Sequence, residues 1–379
     1  MVVADLQQRT RSEIVRLCQA GLSVEELSRR VLACLRAAVP FDAWCWSTAD
    51  PATLLITSSL GEGIPGELAR RFFEIEYGEP DVQKLASLVT RRPPVGTLQE
   101  ATGGTLSLST RWRELFGPCG MGDELRAALV EDGACWGYLS LHRRRDAPPF
   151  APREVAYVAA LLGHLAHGLR TSLLLGGGAA DGAAPAVILL AADLTVLAVT
   201  PAAERWLAEA VEGDRISDGA LPNAVYAVAS SLRAAGPGGP EAAPRARIRL
   251  RNGRWLTAHA LRLAGRTDGQ IAVVLEPAQP GDLAPLALEA YGLTARESQV
   301  VGLVMQGRST AEIAEALVVS PLTVQQHLKS VFEKVGVRSR RELVARIFAQ
   351  QYWPRIEAGV PPGADGWFAE GSRQERGGA

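Results

Sequence analysis

Residues 293–348 read LTARESQVVGLVMQGRSTAEIAEALVVSPLTVQQHLKSVFEKVGVRSRRELVARIF, and this stretch decides the architecture of the C-terminal part of the chain. Three times a Ser or Thr stands three residues before a glutamate, which is the capping box that satisfies free backbone donors where a helix begins. The spacing therefore predicts three helix starts. They are Thr294 with Glu297, Ser309 with Glu312, and Ser339 with Glu342.

A fourth helix start is predicted at Ser320, because Pro321 follows it and proline is favoured in the first turn of a helix. Thr323 stands where the other three helices place a glutamate. We therefore expect an uncapped start whose N–H groups face no local carboxylate, as the approach of a phosphate requires. A polar helix start that only faces solvent is the alternative. Gly307 and Gly336 follow apolar runs and predict two helix ends.

The helix that starts at Ser320 has two different faces. Its apolar residues recur at spacings of four, three and four, which predicts one stripe against a core; they are Val324, Leu328, Val331 and Val335. The side chains expected to project from the other side are Gln325, Gln326, Lys329, Ser330 and Glu333. Glutamine can pair with adenine and lysine with guanine or phosphate, so this face suits the DNA major groove. An ordinary solvated helix face would also be polar.

Charge favours the nucleic-acid interpretation. Residues 320–356 contain seven Lys or Arg and two Glu, a net charge of +5, whereas the whole chain carries −1. A local basic patch of this kind is typical of phosphate binding. The predicted DNA-binding residues are Ser320, Thr323, Gln325, Gln326, Lys329, Lys334, Arg338 and Arg340.

These residues carry a resemblance to the DNA-binding domain of the LuxR family. The shared pattern comprises Leu293-Thr294-x-Arg296-Glu297, Glu312-Ile313-Ala314, Thr323-Val324-x-x-His327 and Lys334-x-Gly336-Val337-x-Ser339-Arg340. The resemblance implies an all-α, four-helix domain that binds double-stranded DNA as a homodimer, with base contacts from Gln325, Gln326 and Lys329. Many relatives have a basic residue where this chain has Gln325, so the operator sequence does not carry over. For His327, packing within the domain is favoured over a base contact.

Length and composition bound the rest of the protein. At 379 residues, the chain has room for two further domains of ordinary size beside residues 286–356, the predicted extent of the DNA-binding domain. No apolar run is long enough to span a bilayer and the first residues do not resemble a signal peptide, so we expect a cytoplasmic protein without a membrane partner. Five cysteines without a Cys-x-x-Cys pair argue against a disulfide framework and a zinc site, and we expect no metal or cofactor.

Residues 12–175 predict an α+β domain. Long amphipathic helical stretches are expected at 12–38, with Gly21 as a candidate break, and at 152–175. Two β-hairpins are expected around Asp50-Pro51 and 131–133, and helices near 67–76 and 81–89. This order resembles a GAF domain, and residues 111–143 are similar to the same segment of GAF-containing LuxR regulators from actinobacteria. The resemblance implies a pocket for a small ligand. Aromatic residues that either line such a pocket or simply fill the core are Trp44, Trp46, Phe72, Phe73, Trp112 and Trp136.

Residues 176–184 have the composition of a flexible linker and predict a domain boundary. Beyond them, residues 183–278 predict two short strands, a helix from Thr200-Pro201 through Ala210, and a three-stranded meander. This second α+β region resembles a PAS domain, and a structural spacer is an equally weighted interpretation. Residues 357–379, rich in Pro, Gly and charge, predict a disordered tail.

The sequence thus predicts a multidomain regulator of transcription whose activity responds to a small-molecule or protein effector, with RNA polymerase as a further candidate partner. The alternative is an enzyme or redox sensor in the GAF-like domain that uses Cys119 or Cys135. It has little support, because no Cys-His-acid order, metal signature or phosphate-binding glycine loop accompanies these thiols. A sigma-like polymerase subunit and a phosphorylated receiver rank lower.

Overall fold

The computed structural model describes residues 2–174, 186–210, 221–236, 244–263, 269–278 and 291–351. The chain divides into two compact units, residues 1–278 and 279–379. The predicted linker at 176–184 and the predicted disordered tail at 357–379 lie outside the described residues. None of the helices in the described ranges is long and apolar enough to span a bilayer.

The first part of the N-terminal unit is an antiparallel sheet of five strands in the order β2-β1-β5-β4-β3. The strands are β1 (Ala43–Ala49), β2 (Ile56–Glu62), β3 (Val95–Thr97), β4 (Met121–Glu131) and β5 (Ala134–Arg144). Both predicted hairpins are confirmed, because β1 pairs with β2 and β4 with β5. The short strand β3 pairs with β4 and was not predicted from the sequence.

Seven α-helices accompany this sheet in the described residues. They are α1 (Val2–Cys18), α2 (Val24–Ala38), α3 (Ala69–Gly78), α4 (Leu85–Leu88), α5 (Leu98–Ala101), α6 (Pro152–Ala159) and α7 (Leu162–Leu174). The single helix predicted for 152–175 is wrong, since a turn at Ala160 and Leu161 divides it. The helix predicted for 81–89 shrinks to α4, because Gln83 has a φ of 51°, which a helix does not accommodate.

A second antiparallel sheet follows within the same unit, in the order β7-β6-β10-β9-β8. Its elements are β6 (Ala186–Leu190), β7 (Val196–Val199), α8 (Pro201–Ala208), α9 (Asn223–Ala234), β8 (Arg245–Arg249), β9 (Trp255–Arg262) and β10 (Ile271–Pro277). The predicted strand pair, helix and meander are confirmed. No bounds were predicted for the long buried helix α9.

The two sheets share one junction within the N-terminal unit. The Asp50 carboxylate, in the turn after β1, accepts hydrogen bonds from the Arg247 backbone N–H (2.9 Å) and side-chain Nε (2.8 Å) on β8. Both side chains of this ion pair are almost fully buried. Beside it, the ring of Phe73 on α3 stacks on that of Tyr226 on α9, with centroids 6.2 Å apart. Buried charge and aromatic packing therefore join α3 and β1 to the second sheet.

A buried ion network lies beneath α3 in the first sheet. Glu124 accepts hydrogen bonds from Arg111 Nε at 2.8 Å and from Arg126 Nε at 2.7 Å. Arg111 also binds Asp81 at 2.8 Å, and Arg126 binds Glu76 at 2.9 Å. The five side chains are between 0 and 4% exposed. Burial alone raises the pKa of Glu124, but the two guanidinium groups outweigh it and hold that pKa far below its usual value.

The C-terminal unit contains four described helices: α10 (Ala295–Met305), α11 (Thr310–Leu317), α12 (Pro321–Val335) and α13 (Arg340–Gln351). Their apolar faces meet in one core in which Val300, Ile313, Val324, Val331 and Leu343 are completely buried. The predicted all-α architecture of this unit is confirmed.

Candidate nucleic-acid interface

The helix starts of the C-terminal unit follow the predicted caps. Thr294 and Ser309 form complete capping boxes with Glu297 and Glu312. At α13 the arrangement is shifted: Ser339 Oγ accepts the Glu342 N–H at 3.1 Å, but the Glu342 carboxylate accepts the N–H of Arg338 rather than that of Ser339. The caps thus place all three starts where the sequence predicts them.

A tight turn separates α11 from α12. Val318 ends α11 in the left-handed conformation, with φ 55° and ψ 49°, and Ser320 begins α12. The expectation of an uncapped start is wrong, because Ser320 Oγ accepts the Thr323 N–H at 3.1 Å. The first turn of α12 does lack acidic residues, as expected. Pro321 has no N–H, and the N–H of Thr323 is bound to Ser320. The N–H of Leu322, which lies between them, is therefore the first-turn donor that can bind an anion.

The two faces of α12 differ sharply in exposure. The predicted apolar stripe is confirmed, since Val324, Leu328, Val331 and Val335 are all buried. Gln325, Gln326, Lys329 and Glu333 are exposed on the other side. Ser330 is not part of that exposed face: it is half-buried and its hydroxyl donates to Glu297 at 2.6 Å. His327 is half-buried, between the two faces.

Three predicted DNA-binding residues at the far end of α12 and beyond it have different surroundings. Lys334 Nζ donates to Glu297 and to the carbonyl of Gly292, both at 2.8 Å, so its ammonium group braces α12 against α10. The Arg340 guanidinium donates to the Arg308 carbonyl, which joins α13 to the segment after α10. Arg338 is exposed.

The structure therefore brings Ser320, Gln325, Gln326 and Lys329 to one exposed surface. Thr323 is half-buried, with its hydroxyl 2.8 Å from that of Ser320.

Glu297 holds this arrangement together. It accepts hydrogen bonds from the Thr294 N–H (2.7 Å), Ser330 Oγ and Lys334 Nζ, and its side chain is almost completely buried. Burial raises the pKa of Glu297, but the hydrogen bonds, led by that from Lys334, outweigh it and hold the pKa at about 2. One carboxylate thus fixes the start of α10 and the middle of α12.

Replacing Glu297 with Gln should destabilise the C-terminal unit by about 2–3 kcal/mol at pH 7, because the charged form is favoured by folding. A carboxyl with a lowered folded pKa contributes stability above its unfolded value, about 4.3, and loses it as the pH falls towards 2. The difference between wild type and variant should therefore shrink between those two pH values.

Amide hydrogen exchange over residues 291–351 of the full chain measures this effect. Glu333→Gln is the matched control, since Glu333 is exposed on the same bundle and its loss should change stability by less than about 0.5 kcal/mol. Equal protection of the two variants at pH 7 would contradict the assigned role of Glu297.

A cavity of about 80 Å³ lies against α3 in the N-terminal unit. Of the aromatic residues proposed as pocket lining, Phe72 and Phe73 line it. Trp44, Trp46 and Trp136 are buried, and Trp112 donates its indole N–H to the carbonyls of Met121 and Gly122, each at 3.1 Å; none of these four tryptophans lines this cavity.

Glu124 and His142 also line the cavity, and neither was predicted from the sequence. His142 is buried, and its Nδ1 has no hydrogen-bond partner among the described residues. Burial lowers the pKa of His142 to about 4, so the imidazole is neutral at pH 7. The alternation of Ser140 and His142 with Leu139 and Leu141 on β5 is the signal that could have identified this polar strand face. Asn223, at the start of α9, also lines the cavity, so the second sheet contributes to its wall.

Cys119 and Cys135, the two thiols of the alternative hypothesis, differ in their surroundings. None of the five cysteines forms a disulfide bond. Cys135 is buried, and this burial raises the pKa of its thiol to about 11, which disfavours the nucleophilic thiolate. Cys119 is half-buried. Within the described ranges, no three His, Cys, Asp or Glu side chains are grouped as a metal site.

Two helices joined by a tight turn, the second with a polar exposed face and a start free of acidic residues, define the class of helix-turn-helix DNA-binding domains. Residues 292–347 match the family of bacterial regulatory proteins of the luxR family, so this segment is a LuxR-type helix-turn-helix domain.

Similar proteins share this segment. A monoamine regulon transcriptional regulator of Klebsiella aerogenes is 46% identical over 54 residues, which cover 14% of this chain and 24% of that protein. A putative HTH-type transcriptional regulator of Mycobacterium tuberculosis is 52% identical over 52 residues, or 14% of this chain and 6% of that one. The match thus spans less than a quarter of each of these relatives.

Solved structures align more broadly but loosely. A GAF domain/HD domain protein from Geobacter sulfurreducens aligns with 41% of this chain and 97% of its own, with a TM-score of 0.32 and 20% identity. SdiA of Escherichia coli aligns with 90% of this chain and 96% of its own, with a TM-score of 0.32 and 11% identity.

Proposed function

We propose that this protein is a sequence-specific DNA-binding regulator of transcription in which α12 enters the major groove. The observation that carries the proposal is the exposed face of α12, where Gln325, Gln326 and Lys329 stand together on the second helix of a helix-turn-helix. The buried side of the same helix is held by the core and by Glu297, so the reading face is presented rigidly. The names of the relatives as transcriptional regulators support the same function.

Each exposed side chain has a distinct role in this proposal. Gln325 and Gln326 pair with base edges, adenine above all, and Lys329 binds guanine or a phosphate. Ser320 and the Leu322 N–H lie at the positive end of the helix, where backbone phosphates bind. Arg338 contributes phosphate contacts that position the domain without reading sequence. Lys334 forms an ion pair with Glu297, so its effect on DNA binding is indirect: it holds α12 in position.

Replacing Gln326 or Lys329 with Ala should each reduce discrimination between the preferred site and a one-base variant by about 1–3 kcal/mol. The preferred duplex is first selected from a random library with the full chain. Binding of the selected duplex and its single-base variants is then measured at fixed salt concentration, since phosphate contacts make affinity depend on salt.

The charge-matched control is Arg153→Ala, which removes an exposed cation from α6. It should leave site preference unchanged. If Gln326→Ala and Lys329→Ala keep the wild-type preference as Arg153→Ala does, the assignment of α12 as the reading helix is wrong.

We further propose that the protein binds DNA as a homodimer, because a single recognition helix of 15 residues contacts only one half-site. Two such heads bind half-sites about one helical turn, or 34–36 Å, apart. RNA polymerase is the proposed partner for the regulatory output, and the cytoplasm is the proposed location.

We also propose that the N-terminal unit has a sensory rather than an enzymic role, with the effector bound in the cavity against α3. The cavity wall is mainly apolar and includes the neutral His142 and the ion-paired Glu124, which favours a small uncharged molecule over an anion. α3 contacts both this cavity and α9, since Phe73 lines the cavity and stacks on Tyr226. A change of packing at the cavity can therefore be transmitted through α3 and α9 to the second sheet. The region of the second sheet resembles a PAS domain in the order of its elements.

A further inference from the structure

The two most exposed large apolar side chains among the described residues flank the start of α12. Val318 is 90% exposed and Leu322 is 65% exposed, whereas the aliphatic residues of the opposite face are buried. A single exposed leucine is common on protein surfaces and needs no explanation by itself. The position of Leu322 on the exposed face of α12 is the observation that indicates a role for it.

Leu322 is the first member of the exposed stripe of α12. It precedes Gln325 by three residues, Gln326 by four and Lys329 by seven, which are the spacings that place side chains above one another on one helix face. The buried residues Val324 and Leu328 lie on the other side. An apolar side chain thus leads a row of polar ones, at the N-terminal end from which a recognition helix contacts bases.

We propose that Leu322 is a specificity-determining residue that contacts the 5-methyl group of a thymine in the major groove. The inference rests on the proposed DNA-binding function. The thymine methyl is the apolar feature that this groove presents beside its hydrogen-bonding groups, so it is the group that an exposed leucine recognises by removing both surfaces from water. The neighbouring base edges are then read by Gln325 and Gln326, one turn further along the helix.

Replacing thymine with deoxyuridine in the selected duplex tests this inference, because the change removes the methyl group and leaves the pairing edge intact. Each thymine is replaced in turn, in both half-sites together, and binding of the full-length protein is measured. We expect one thymine position at which loss of the methyl weakens wild-type binding about fourfold for each half-site. With Leu322→Ala, that position should no longer distinguish thymine from deoxyuridine.

Leu108→Ala is the matched control, since Leu108 is 60% exposed in the N-terminal unit and its loss should leave the thymine preference as in wild type. Leu322→Met, which keeps an apolar contact, should retain most of it. Thermal unfolding verifies that the variants are folded.

The outcomes separate the inference from the function on which it rests. If a duplex is selected but Leu322→Ala responds to every deoxyuridine as wild type does, the thymine contact is wrong and DNA binding stands. If Leu322→Ala leaves DNA binding unchanged and lowers only transcription with purified RNA polymerase, Leu322 is a polymerase contact and the inference is overturned. If no duplex is selected from the library, the proposed function and the inference fail together.

Discussion

Replacing Arg126 with Met should lower the free energy of unfolding of the N-terminal unit by about 3–5 kcal/mol at pH 7, the usual cost of removing one partner from a buried ion pair. Arg126 binds Glu124 and Glu76 with its side chain completely buried, and its guanidinium also lies 5.5 Å from the centre of the Phe72 ring. Without it, Glu124 keeps its ion pair with Arg111, but the buried carboxylate of Glu76 loses its guanidinium partner.

The pH dependence should identify charge as the cause. The folded pKa of Glu124 is lowered, so its contribution to stability is present above the unfolded value of about 4.3 and is lost as the pH falls below it. The difference between wild type and Arg126→Met should therefore be largest near neutral pH and shrink below about pH 4. Chemical denaturation of the full chain across this range provides the measurement.

Arg29→Met is the matched control for this experiment. Arg29 pairs with Glu25 on the exposed face of α2, and such a surface pair contributes less than about 1 kcal/mol. If Arg126→Met costs no more than Arg29→Met, the buried network is dispensable and the packing around it holds the unit together. Because Glu124 also lines the cavity, the stability measurement must precede any interpretation of effector binding by these variants.

Replacing Asp50 with Asn should weaken the junction between the two sheets by about 3 kcal/mol, because the buried guanidinium of Arg247 would lose the negative charge of Asp50. The expected local result is faster amide exchange in β2 and β8, the strands beside this pair. Since Asp50 and Arg247 lie on different sheets, this variant also tests whether the sheets behave as one cooperative unit.

Asp193→Asn is a matched control, because Asp193 also pairs across the junction, with Arg70, but at 3.7 Å and on the surface. Its effect should be below about 0.5 kcal/mol. The double variant Asp50→Asn with Arg247→Met should recover part of the loss, since neither charge is then left buried alone. Identical exchange in Asp50→Asn and Asp193→Asn would show that the buried pair does not secure the junction. The proposed route from α3 to α9 would then depend on the contacts between these helices, which include the Phe73–Tyr226 stacking and the Glu74–Arg233 ion pair.

Local signals predicted the C-terminal unit well. Capping at Thr294 and Ser309 depends on residues three apart, and the apolar stripe of α12 depends on helical periodicity, so both are encoded within a few residues. The hairpins of the first sheet are similarly local, because each joins neighbouring strands through a short turn. The order of the other strands also followed from such signals, whereas strand β3 and the bounds of helix α9 did not.

Contacts between residues that lie far apart along the chain could not be predicted from local sequence patterns. Helical spacing predicted that Ser330 projects from the exposed face, and Lys334 was predicted to bind DNA. Both side chains instead bind Glu297, 33 and 37 residues earlier in the chain. The cavity combines strands β1, β2, β4 and β5 with α3 and α9, so no periodicity within one segment could identify Glu124, His142 and Asn223 as neighbours. Of the six aromatic residues predicted to line a pocket or fill the core, only Phe72 and Phe73 line this cavity, and the four tryptophans do not.

The sequence by itself determined that the chain carries a LuxR-type helix-turn-helix, where its helices begin, and which polar side chains α12 offers, because capping and helical periodicity act over a few residues. Only the tertiary structure decided which of those side chains remain available for DNA. Glu297 binds Lys334 and Ser330 into the bundle, whereas Leu322 joins Gln325, Gln326 and Lys329 on the free face. The physical reason is that a side chain's role depends on the partner that packing places beside it, and that partner lies far away along the chain.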